Sequence, residues 1–107
     1  MAGHSVPIDF RVDPAKITNP VERSTLLQDL LHILEPYMGK QTQICNLELG
    51  GGNHMTVYTV GDTTLSVKLY SNGLVTATWE YYVDNMHSHK IINDDGREIE
   101  SQLKSKF

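Results

Sequence analysis

Five histidines, one cysteine and a few paired acids are the side chains of this 107-residue sequence that could ligate a metal or catalyse a reaction. His87 and His89 stand two residues apart, so on an extended segment both rings point the same way. His54 and Cys45 are of the right types to complete a zinc site, yet no spacing matches a CxxC or HExxH pattern. The plainer reading is histidines exposed in a loop near a strand end. Cys45 lies on an apolar strand with no neighbouring base, which suits a small core residue better than a nucleophile. Asp9 and Asp13 alternate with apolar positions as the solvated side of a first strand. Asp94-Asp95 suit the positive end of a helix dipole better than a cation. No catalytic, cofactor-binding or metal-ligating residue is assigned.

The run "GGGNHMTVYTV" raises the question of a phosphate loop. Such a loop needs its glycines to lead into a helix N-terminus, where free N–H groups and the dipole meet the anion. Here Gly50 to Gly52 lead into a strand-like stretch, so they read as a four-residue hairpin connection, expected to be mobile. Trp79, Tyr81 and Tyr82 could form a stacking platform, but 13 acidic against 9 basic residues give a net charge of −4, and the basic residues are scattered. That distribution argues against a nucleic-acid partner. It is also too modest to assign a polyamine site, because long-range attraction is screened at physiological salt.

The elements that must position these residues follow from pattern. A chain this long supports one domain, residues 1–107, with a single core. One cysteine precludes an internal disulfide, and "MAGHSVPIDF" lacks the regions of a secretory leader. The apolar stretches are too short to cross a bilayer, and the expected setting is the cytoplasm. "PIDFRV" alternates Ile8, Phe10 and Val12 with Asp9 and Arg11, the period of a half-buried strand. Asn19 suits an N-cap, Pro20 the first helical position and Glu22 a capping box. The helix stripe is Leu27, Leu30, Leu31 and Leu34, widened by Leu26, Ile33 and Tyr37, with an end or kink near Pro36. Four strands follow, roughly Gln41 to Leu49, His54 to Val60, Thr63 to Tyr70 and Leu74 to Val83. "NMHSHKIINDD" reads as a loop or short strand, and a second helix starts near Asp95, with Ile99, Leu103 and Phe107 on one stripe. That helix reaches the last residue without a capping glycine, as if the chain were cut there or just before a linker. The fold class is α+β: an antiparallel meander sheet with helices packed on one face.

Reading Gly61-Asp62 and Asn72-Gly73 as two-residue hairpin loops sets the register. Val60 then opposes Thr63 and Val57 opposes Ser66, while Tyr70 opposes Val75, Lys68 opposes Ala77 and Ser66 opposes Trp79. One face carries Tyr58, Val60, Leu65, Val67, Leu69 and Leu74 and receives the leucine helix. The other carries Met55, Val57, Tyr70, Val75, Ala77, Trp79 and Tyr81, an aromatic surface too apolar for a monomer and suited to a two-fold homodimer. A one-residue change in either turn would exchange the faces.

"IDFRVDP", the leucine-rich helix and "HMTVYTVGDTTLSVKLYSNGLVTATWEYY" followed by a polar helix together resemble the N-terminal domain of animal spermine synthases. The hairpin "LYSNGLVTATWEYY" carries most of the likeness, which extends over nearly the whole chain through structural rather than chemical motifs. The resemblance implies a fold like S-adenosylmethionine decarboxylase and a noncatalytic role as the main contact of the homodimer. The parent enzyme moves an aminopropyl group from decarboxylated S-adenosylmethionine to spermidine, in a Rossmann-like domain whose fingerprint this sequence lacks. It implies a short isoform or fragment, not an enzyme by itself, able to pair with its own kind or with a full-length spermine synthase subunit. Decarboxylases of that fold make a pyruvoyl group from an internal serine, but the surroundings of Ser88 match no such processing site. A free-standing interaction or regulatory module using the same apolar sheet face is the alternative.

Overall fold

A sheet built from short hairpins needs a helical layer to bury one of its faces, and this chain supplies both. The computed structural model describes the backbone of residues 2–83 and 86–107 and the side chains of 5–80 and 96–107. In order, the elements are β1 (Ala2–Arg11), α1 (Ala15–Thr18), α2 (Pro20–Met38), β2 (Thr42–Gly50), β3 (Asn53–Val60), β4 (Thr63–Leu69), β5 (Leu74–Val83) and α3 (Met86–Lys106). The protein is α+β. Its five strands form one antiparallel sheet in the order β1-β5-β4-β3-β2. Strands β2 to β5 make the expected meander, and β1 closes the far side against β5, from Ala2 opposite Val83 to Arg11 opposite Leu74.

The helical layer is signed locally. Asn19 caps α2, its side-chain oxygen accepting from the Val21 and Glu22 amides at 2.9 and 3.3 Å, which satisfies two of the helix's otherwise unpaired donors. Asp13 performs a similar service for α1 by accepting from the Ala15 amide at 3.0 Å, so it belongs to a turn and not to the strand face expected for it. The buried stripe of α2 is Leu26, Leu30 and Leu34, with Leu27, Leu31, Ile33 and Tyr37 flanking it. Each fully buried leucine contributes about 1.5–3 kcal/mol relative to exposure. The helix runs two residues beyond Pro36 and closes with the Gly39 amide on the Glu35 carbonyl at 2.8 Å. A missing proline N–H this close to a helix end removes a single bond, and Tyr37 and Met38 still pack against the core.

Helix α3 starts well before Asp95, so the loop or short strand expected over 85–95 is helical from Met86 onward. The aspartates followed by Gly96 look like a boundary, but that glycine serves close packing. A Cβ on Gly96 would stand 2.5 Å from Val6 Cγ1, so α3 approaches β1 where a side chain would not fit. The expected stripe beyond it is real: Ile99 and Leu103 are buried, and the Phe107 ring stacks on Phe10 at 5.3 Å. A Gln102–Tyr37 side-chain hydrogen bond joins α3 to α2.

The largest departure lies in one hairpin. The Gly61-Asp62 loop has two residues, as Val60 opposite Thr63 requires, and Val57 opposes Ser66. The loop from β4 to β5 has three, Ser71 to Gly73: the Gly73 amide donates to the Tyr70 carbonyl at 2.9 Å and the Tyr70 amide to the Leu74 carbonyl at 2.8 Å. Gly73, at φ 96°, supplies the left-handed residue with which such three-residue loops end. The register therefore moves by one. Val75 opposes Leu69, Ala77 opposes Val67 and Trp79 opposes Leu65. Because side chains alternate, the inner and outer positions of β5 exchange. Val75, Ala77 and Trp79, expected on an open face, are buried beneath the helices, and Leu74, expected in the core, is half-buried on the other side.

Candidate interaction surface

The helix-free face of the sheet changes character across its width. Over β1, β5 and β4 it presents polar positions, including Asp9, Thr76, Thr78, Ser66 and Lys68, which tolerate water. Over β3 and β2 it turns apolar, with Met55 opposite Leu47 and Val57 opposite Cys45.

Strand β2 is amphipathic in the sense opposite to β1. Ile8 and Phe10 of β1 point at the helices and are buried, whereas on β2 the helix-side positions are the polar Asn46 and Glu48. Cys45 and Leu47 face away from the core, while Ile44 and Leu49 stand at the two register shifts of the strand. Leu47 is 43% exposed, Leu49 47% and Ile44 59%. Of the four large hydrophobics exposed among the described residues, three lie on this strand; the other, Val21, is in the first turn of α2. Such concentration, rather than single exposed side chains, marks a contact surface.

Of the seven residues expected to form an interface, Met55 and Val57 lie on this apolar side and are half-buried. Tyr70 lies at the end of β4, beside the hairpin loop, and is half-buried. Val75, Ala77 and Trp79 are core residues that a partner could reach only if the helices lifted off. The side chain of Tyr81 lies outside the described residues. Leu47, Leu49 and Ile44 were missed, although the alternation of Asn46 and Glu48 with Leu47 and Leu49 is legible in the sequence.

The chemistry-bearing side chains are dispersed. His54 pairs with Glu48 on the helix side of the sheet, while Cys45 pairs with Val57 on the other, so the sheet separates His54 from Cys45. No three His, Cys, Asp or Glu side chains gather among the described residues. His87, Ser88 and His89 fall on helical backbone, not on an extended segment. Their side chains lie outside the described residues, as do those of Asp94 and Asp95, which sit inside α3 rather than at its start. Burial raises the Tyr58 hydroxyl above its ordinary value of 10.0, against a smaller downward pull from its hydrogen bond with Thr56. The three glycines turn the chain from β2 into β3 at φ 83°, 63° and 80°. Gly50 pairs with Asn53, so the connection is two residues long and leads into a strand. No helix among the described residues is long and apolar enough to cross a membrane.

No protein-family model matches the chain, and no curated protein matches it with significance.

Proposed function

We propose that this chain is a noncatalytic dimerisation module of the kind found at the N-terminus of spermine synthases, with an S-adenosylmethionine decarboxylase-like arrangement of sheet and helices. The observation that carries the reading is the apolar surface of β2 and β3, where Leu47, Leu49 and Met55 lie outside the protein's own core. The hairpin "LYSNGLVTATWEYY" and the layering of helices on one face of an antiparallel sheet support the family reading. The module holds subunits together in the cytoplasm, while aminopropyl transfer to spermidine belongs to the catalytic domain of the parent enzyme. Its partners are a second copy and a full-length spermine synthase subunit.

The test is the native mass by light scattering behind a sizing column, over a range of concentrations. Twice the chain mass of 12.1 kDa, persisting on dilution, is expected. A persistent monomer would refute the homodimer and transfer the same surface to an unlike partner, the free-standing interaction module. Subunit exchange with full-length spermine synthase on mixing is the second expectation, and failure to exchange would remove the mixed dimer.

A further inference from the structure

The sheet has two edges, and they are built differently. The edge formed by β1 carries Pro7, which lacks an N–H, flanked by exposed Asp9 and Arg11. Proline and charged side chains are what sheets use to discourage a further strand. At the opposite edge, β2 has no strand on its outer side among the described residues. Its segment Cys45 to Leu49 contains no proline and no lysine, one acid, and two exposed leucines. Every second residue of an edge strand aims its N–H and C=O outward, so such a segment is a template for one more strand.

We infer that β2 pairs antiparallel with β2 of a second copy about a two-fold axis at Leu47, joining five strands from each copy into one continuous sheet. The inference rests on the dimerisation reading and names the contact that performs it. Two observations set the geometry. A two-fold axis relating antiparallel neighbours stands perpendicular to the sheet, so helices of both copies lie on the same side and each residue must meet one from the same face. The stretch of β2 that pairs residue for residue with β3 runs from Cys45 to Glu48, between register shifts at Gln43/Cys45 and Glu48/Gly50. Centring on Leu47 lies within that stretch: Leu47 meets Leu47 of the second copy on the apolar side, and Cys45 meets Leu49 at the register shift.

Hydrogen-bond complementarity selects the same register. On the helix side, Asn46 meets Glu48 of the second copy, twice by symmetry, pairing an amide donor with a carboxylate. Centring one residue earlier would instead set Glu48 against the apolar side chain of Ile44, which is 59% exposed and stands at a register shift. Pairing β2 with β1 of another copy would confront the leucines with Asp9, Arg11 and Pro7 and would propagate without closing. The two-fold contact closes.

Two variants test the register. Leu47→Lys places like charges face to face and is expected to leave a folded monomer at concentrations where the native chain is fully dimeric, while Asp9→Lys on β1 stays dimeric. Leu47→Cys in a Cys45→Ser background is expected to form an intermolecular disulfide under mild oxidation, because directly opposed residues lie about 4.5–5.5 Å apart at Cα, within disulfide reach. Asn46→Cys in the same background, opposite residue 48 and offset from its own copy, is expected not to cross-link. A native dimer that survives Leu47→Lys and gives no Leu47→Cys cross-link would overturn the edge contact and leave dimerisation standing. A native monomer would overturn both.

Discussion

Gly73 lies where the three-residue loop returns the chain into β5, and replacing it with alanine tests the turn that decides which face of β5 is core. Two costs can be worked from the structure. At φ 96° an L-residue incurs about 1–2 kcal/mol of left-handed strain. A Cβ there would also stand 2.3 Å from the Val12 carbonyl oxygen, which is backbone and cannot rotate aside. Relief requires the loop to withdraw from Val12, breaking the hydrogen bond that the Val12 amide donates to the Gly73 carbonyl at 2.8 Å, for roughly another 1 kcal/mol. Gly73→Ala should therefore lose about 2–3 kcal/mol, and at roughly 4–8 °C per kcal/mol for a domain of this size its Tm falls by about 8–24 °C. Gly50→Ala is the control, since its φ is 83° and nothing lies within 4 Å of the added Cβ, leaving strain alone. Thermal and urea unfolding of the three proteins measures both values. If Gly73→Ala costs no more than Gly50→Ala, the close approach to Val12 is wrong, and the register of β5 with it.

Two further predictions separate core from surface and follow the raised titration of Tyr58. Trp79→Ala, removing a 5% exposed ring from beneath the helices, should cost about 3–5 kcal/mol and expose the core to a hydrophobic dye, whereas an interface tryptophan would change native mass while leaving the far-ultraviolet circular dichroism intact. Tyr58 is held above its ordinary value of 10.0 by burial, so its contribution is fully present below pH 10. It is lost as pH rises through the higher folded value, because the unfolded chain gives up the proton first. Urea midpoints measured from pH 9 upward should therefore fall with pH, and Tyr58→Phe should flatten that slope; an unchanged slope would place the alkaline sensitivity elsewhere.

Local signals in the sequence were sufficient for the elements whose causes are local. The Asn19-Pro20 start of α2, the period-two runs of β3 to β5 and the Ile99, Leu103, Phe107 stripe each depend on neighbours within a few residues. Local pattern puts the start of α3 near Asp95 instead of Met86, and the reason for Gly96 inside it is not legible there, because that reason is Val6, distant in the chain and adjacent in space. Asn72-Gly73 matches a two-residue hairpin signal, yet the loop takes in Ser71 as well: Asn53 of the neighbouring hairpin accepts from the Ser71 amide at 2.8 Å, and Gly73 is held against Val12. Both ties come from other elements, so tertiary contact chose the loop length. Alternation then carried that single residue along the whole of β5, moving Val75, Ala77 and Trp79 from an imagined outer face into the core. The same pairing decided which surface remains apolar and open. Only the strand order, which leaves β2 at an edge that the helices do not cover, put Leu47 and Leu49 within reach of another molecule.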